Sequence, residues 1–140
     1  MRQVIDASFA HEWYFPGGIT PDRWSTEVGL RNPGRAFDLG VITLPNGVQP
    51  DGMELEFSWE ALPNLAEGSV VSITVEDSAN GTDFVATGLT KQLVGQAGGG
   101  YAAGRIGWPL ATLRQYVRVH VYAGDLGDNT AQLWRFALVF

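Results

Sequence analysis

Three stretches alternate apolar and polar residues with a period of two, and that alternation limits the fold more than any other feature. GMELEFSWEA sets Met53, Leu55, Phe57, Trp59 and Ala61 against Glu54, Glu56, Ser58 and Glu60. SVVSITVED sets Val71, Ile73 and Val75 against Ser72, Thr74 and Glu76, and LRQYVRVHVY sets Val117, Val119 and Val121 against Tyr116, Arg118, His120 and Tyr122. In a strand, successive side chains point to opposite faces, so each stretch buries one face and wets the other.

SVVSITVED runs into Ser78-Ala79-Asn80-Gly81, where Asn-Gly supplies the positive φ of a tight turn before a return strand near Asp83-Phe84. Further strands are expected over the segments 36–44, 89–94, 104–110 and 131–140. Pro45-Asn46-Gly47, Pro50-Asp51-Gly52, Gly98-Gly99-Gly100 and Gly124-Asp125 mark the turns between them. Eighteen glycines and seven prolines in 140 residues fit many short strands and argue against long helices. The expected fold is all-β, an antiparallel two-sheet sandwich that is jelly-roll-like. The final strand is apolar on both faces, with Trp134, Phe136, Leu138 and Phe140 on one and Leu133, Ala137 and Val139 on the other. It is expected to be covered on both sides within the domain, the alternative being a subunit contact.

HEWYFPGGITPDRWSTEVGLRNPGR, residues 11–35, mixes aromatics, prolines and glycines without a sustained period. Residues 1–35 therefore read as an extended N-terminal arm or long loop, with a helical turn capped by Thr20 and started by Pro21, and 36–140 as the sandwich domain.

The chain has no cysteine, which excludes disulfides, thiolate nucleophiles and cysteine-ligated metals. A net charge of −6 with nine Lys plus Arg argues against nucleic-acid binding, which draws its affinity from neutralising phosphates. No apolar run approaches the ~20 residues that span a bilayer, so a soluble chain without its own secretory signal is expected. With two histidines and no HExxH motif, no zinc site is expected. Asp125 and Asp128 lack the spacing of a calcium loop, and Gly98-Gly99-Gly100 lacks the lysine and helix start of a phosphate loop, reading as a flexible connection. Glu54, Glu56 and Glu60 share a strand face, superficially like the acidic strand of jelly-roll glucanases. Their E-L-E-F-S-W-E run departs from the E-x-D-x-x-E pattern, and a solvated strand face is the expectation. No catalytic residue, metal or cofactor is assigned.

The face carrying Tyr116, Arg118, His120 and Tyr122 is rich in types preferred at contacts, and reads either as a docking face or as a cross-strand ladder on an exposed sheet. The aromatics of the arm, with His11, Trp13, Tyr14, Phe15 and Trp24, complete the candidate protein-interface set.

FDLG (37–40), EDSANGTDF (76–84), GRIGWPL (104–110), QYVRV (115–119) and the apolar last strand occur in an order and spacing that resemble the small jelly-roll cement, or decoration, proteins of tailed bacteriophage capsids. The resemblance covers about residues 36–140, and the segment 11–35 departs from it. It implies a non-enzymatic protein on the outer capsid surface of the virion, made in the bacterial host cytoplasm. Its implied partners are the major capsid protein and itself, as a dimer or trimer, with no nucleic acid and no membrane. A function from another class also fits a jelly roll, a carbohydrate-binding module using exposed tryptophan and tyrosine as sugar platforms.

Overall fold

The structure, a computed structural model, describes residues 10–15, 22–23, 36–41, 53–110, 112–123 and 131–140. The alternating stretches form strands, as their periodicity requires. The described residues contain β1 (Ala10–Tyr14), β2 (Asp22–Arg23), β3 (Phe37–Asp38), β4 (Glu54–Trp59), β5 (Val70–Ser78), β6 (Val85–Val94), β7 (Gly104–Pro109), β8 (Tyr116–Ala123) and β9 (Leu133–Val139). They make two antiparallel sheets. Sheet A runs β1-β9-β4-β7, and sheet B runs β2-β8-β5-β6, with β3 also pairing with β8. The fold is a two-sheet all-β sandwich.

Cross-strand register places the inward side chains together. In sheet A, Leu55, Phe57 and Trp59 of β4 lie opposite Leu138, Phe136 and Trp134 of β9. In sheet B, Ile73 and Val75 lie opposite Val121 and Val119. These residues are buried, and Phe37 bridges the layers, its ring stacked on Phe136 at 5.2 Å. Phe57 stacks on Trp134 at 5.5 Å, and the Trp59 indole donates from Nε1 to the Ala102 carbonyl at 2.8 Å. A buried Trp thus keeps its one polar group satisfied.

β9 lies between β1 and β4, and Ala137 and Val139 on its outward side are as buried as Phe136 and Leu138 on its inward side. The strand expected to be covered on both faces within the domain is so covered over Phe136–Val139, whereas Leu133 and Arg135 at its start are only half-buried on the outward side.

The segment expected as an arm enters both sheets where it is described. Ala10–Tyr14 pairs along the whole of its length with β9, and Asp22–Arg23 pairs with Ala123 and Tyr122. β9 has a second row of backbone donors and acceptors on the side away from β4, and β1 satisfies them. Asp22 and Arg23, expected in a helical turn, are extended; Thr20 and Pro21 lie outside the described residues. Phe37–Asp38 opens the expected strand over 36–44, but a 3-10 turn follows at Leu39–Val41, and 42–44 lie outside the described residues.

Gly98, Gly99 and Gly100 have φ of 84°, 86° and 87°, a left-handed run that disfavours side chains. The loop is tied down rather than a flexible connection. Gly100 N donates to the Leu65 carbonyl at 2.6 Å and Gly98 N to Glu67 Oε1 at 2.9 Å, docking it on the β4–β5 connection.

Candidate functional site

The outer face of sheet B is set by β8 and β5. Register puts Ser78 beside Tyr116, Glu76 beside Arg118, and Thr74 beside His120, all pointing away from the valine core. Arg118 Nε donates to Glu76 Oε1 at 2.7 Å, and His120 Nδ1 lies 3.8 Å from Glu76 Oε2. The Arg118 guanidinium also sits over the Phe84 ring, 4.1 Å from its centroid. A cation over an aromatic face, paired at the same time to a carboxylate, holds a long side chain in one conformation. Tyr116 packs against the β5–β6 turn, its ring within 3.4 Å of where a Cβ on Gly81 would be. The result is a half-covered, pre-ordered surface of aromatic and charged groups.

The other interface candidates do not join it. His11 and Phe15 belong to the sandwich interior: Phe15 is 1% exposed and His11 stacks on Phe37 at 4.6 Å. They were expected on an outward arm, and pairing of β1 with β9 turns them inward instead. Trp13 and Tyr14 lie on β1 and Tyr122 on β8, with their side chains outside the described residues, as is the whole of Trp24. Glu76 and Phe84, which order the face, were not singled out as site residues. Glu76 was legible as outward; its pairing with Arg118 needs the cross-strand register.

Where β5 and β8 meet the end of the sandwich, Asp77 lies on the inward side of β5 opposite Val117. Arg114 closes over it. Arg114 N donates to Asp77 Oδ2 at 3.0 Å, Nε and Nη2 donate to Oδ1 at 3.1 and 2.9 Å, and Nη2 also donates to the Asp77 carbonyl at 2.9 Å. Burial pushes the Asp77 carboxyl up, but the Arg114 hydrogen bonds and charge outweigh it and hold the group below its ordinary value.

On the opposite layer, Glu56 is mostly buried although it lies on the outward face of β4, because Arg135 and Arg105 reach it from both neighbouring strands, at 3.5 and 3.7 Å. Glu54, Glu56 and Glu60 are therefore not one solvated row. Glu60 Oε1 accepts from Leu133 N at 2.6 Å, and Glu54 lies beside Gly107. An open trough of about 270 Å³ next to Glu60 is lined by Glu12, Ser58, Arg135 and Leu133. Trp59 and Trp134 also border it, but both are buried in the core and offer no open ring to a sugar. Trp108 is buried as well, so none of the described tryptophans whose side chains are placed forms an exposed platform.

Among the described residues no group of three or more His, Asp or Glu is placed to hold a metal, and no helix is long and apolar enough to cross a membrane. Comparison with protein-family models, curated proteins and solved structures gives no match.

Proposed function

We propose that this chain is a capsid cement protein of the jelly-roll type. In this reading it binds the outer surface of an icosahedral phage shell and stabilises contacts between major capsid protein subunits, as a homo-oligomer. The observation that carries the reading is the strand order. With β2 and β3 taken as two pieces of one strand beside β8, the sheets run β1-β9-β4-β7 and β2/β3-β8-β5-β6. Among the described strands, so grouped, the chain changes sheet at every step except the β5–β6 hairpin, a winding that supports an eight-strand jelly roll.

Two further observations support it. The sequence stretches that resemble cement proteins fall in order onto β3, the β5–β6 hairpin, β7, β8 and β9. The ordered face around Tyr116, Arg118 and His120 supplies a pre-organised contact surface. Docking there costs less side-chain entropy than it does on a mobile face. Many copies on one shell multiply modest contacts through avidity.

The test is a quantitative protein gel of gradient-purified particles from the source of this chain. The expected result is a band in a fixed, simple ratio to the most abundant shell protein. Absence of the chain from particles that carry their full complement of shell protein would overturn the proposal.

A further inference from the structure

Asn-Gly is the dipeptide in which a side-chain amide is most open to attack by the following backbone nitrogen, because glycine puts no Cβ in the way. Asn80-Gly81 lies at the solvent-exposed tip of the β5–β6 connection, the setting in which such a pair is expected to convert. Its surroundings are unusual in how completely they engage the reacting groups.

Gly81 N, the nucleophile, donates to Ser78 Oγ at 3.0 Å. Asn80 Oδ1 accepts from the Ser78 hydroxyl, Thr82 N and Asp83 N, each at 2.9 Å. Asn80 Nδ2, the nitrogen that would leave, donates to Asp83 Oδ2 at 2.9 Å. Ser78 is fully buried and also accepts from Asn80 N at 3.2 Å, so one hydroxyl fixes both the attacking nitrogen and the amide it would attack. Gly81 is held at a φ of 79° with the Tyr116 ring against it.

We infer that Asn80 is a latent deamidation site, kept unreacted in the folded chain by a lock centred on Ser78. The reaction joins Gly81 N to Asn80 Cγ. The Gly81 amide proton and the side-chain nitrogen depart together as ammonia, leaving a five-membered imide. One water then opens the ring at either carbonyl and leaves aspartate or isoaspartate at position 80. Ring closure requires the Gly81 N–H to leave Ser78 and the Asn80 amide to rotate away from its acceptors and donors. Each of those bonds opposes it. Conversion would add a negative charge at the turn that Tyr116 packs on, and in the isoaspartate form an extra backbone atom, changing the rim of the sheet B outer face.

The experiment follows the peptide containing Asn80 by mass spectrometry after incubation of the whole chain in warm, mildly alkaline buffer. Folded wild type, folded Ser78→Ala and wild type in urea are compared. Folded wild type is expected to convert at least about tenfold more slowly than the unfolded chain, the rate equivalent of one or two net hydrogen bonds. Ser78→Ala is expected to recover most of that difference. Equal rates for the folded and unfolded wild type would overturn the inference, and so would a folded Ser78→Ala protein as slow as wild type. If Ser78→Ala does not fold, Asp83→Ala tests the same lock at an exposed side chain. It releases Nδ2 alone and is expected to raise the folded rate several-fold, and no rise would overturn the inference.

Discussion

Replacing Asp77 by alanine tests how the end of the sandwich is held. The substitution removes three hydrogen bonds to Arg114, one from its backbone nitrogen and two from its guanidinium, and keeps the bond from Nη2 to the residue 77 carbonyl. Asp77 is 10% exposed at its side chain, whereas the Arg114 side chain is 44% exposed. The guanidinium therefore rehydrates when its partner goes, and the cost falls below the 3–5 kcal/mol of a fully buried pair. The lost bond to the Arg114 N–H and the two lost charge-assisted bonds together cost about 2–3 kcal/mol. For a chain of this size that is a fall in melting temperature of roughly 6–12 °C.

The pH dependence gives a second, independent reading of the same contact. Because the folded-state value of Asp77 lies below the ordinary 3.8, its stabilisation is complete above that value and is lost as the pH falls through the depressed one. Urea denaturation followed by tryptophan fluorescence is expected to separate wild type from Asp77→Ala near neutral pH and to bring the two closer in strong acid. Asp77→Asn keeps an acceptor for the Arg114 N–H but removes the charge, so it should fall between them. A neutral-pH difference under about 0.5 kcal/mol, the size of an ordinary surface substitution, would refute the reasoning. A difference that stayed constant into acid would refute the electrostatic part.

Other substitutions probe the core, a close backbone approach and the outer face. Phe136→Ala opens a hole between the sheets beside Phe37 and should cost about 3–5 kcal/mol in chemical denaturation. At Gly95, a Cβ would stand 1.8 Å from the Ala66 carbonyl oxygen, and no rotamer relieves a clash with backbone. Gly95→Ala should therefore destabilise by about 3 kcal/mol or prevent folding, read as loss of a cooperative melt. Arg118→Ala removes the contacts to Glu76 and Phe84 on a partly exposed face and should cost only about 1 kcal/mol by the same melt. Under the cement proposal the same variant should be depleted from purified particles, and undiminished incorporation would remove this face from the docking surface.

The strands were legible where one face is buried and the other wet, as in Glu54–Trp59, Val70–Ser78 and Tyr116–Ala123, because alternation in sequence is alternation in space. The Asn80-Gly81 turn was legible for the same local reason. β1 was not, because His11 occupies an inward position where a sequence reading expects an apolar residue, and its partner β9 is far away along the chain. Glu56 misled in the opposite sense. Its outward position was readable, but its burial depends on Arg105 and Arg135, which only the register β7-β4-β9 brings alongside. The same limit applies to the candidate face. The Tyr116, Arg118 and His120 stripe is written along one strand, while Glu76 and Phe84, which hold it, come from β5 and the segment before β6.

The pairing of β1 with β9 carries a consequence for how the chain comes off the ribosome. Residues 10–14 are synthesised early and must wait for residues 133–139, and β4 waits for the same strand. Sheet A thus gains its central member last. Contacts so distant in sequence make for slow folding, on the order of milliseconds to seconds. Through that interval the backbone edges of β1 and β4 lack the strand that joins them, which is when a nascent β-protein is most exposed to wrong partners. A nascent chain stalled before residue 133 should therefore stay protease-sensitive, and acquire protection once β9 has emerged.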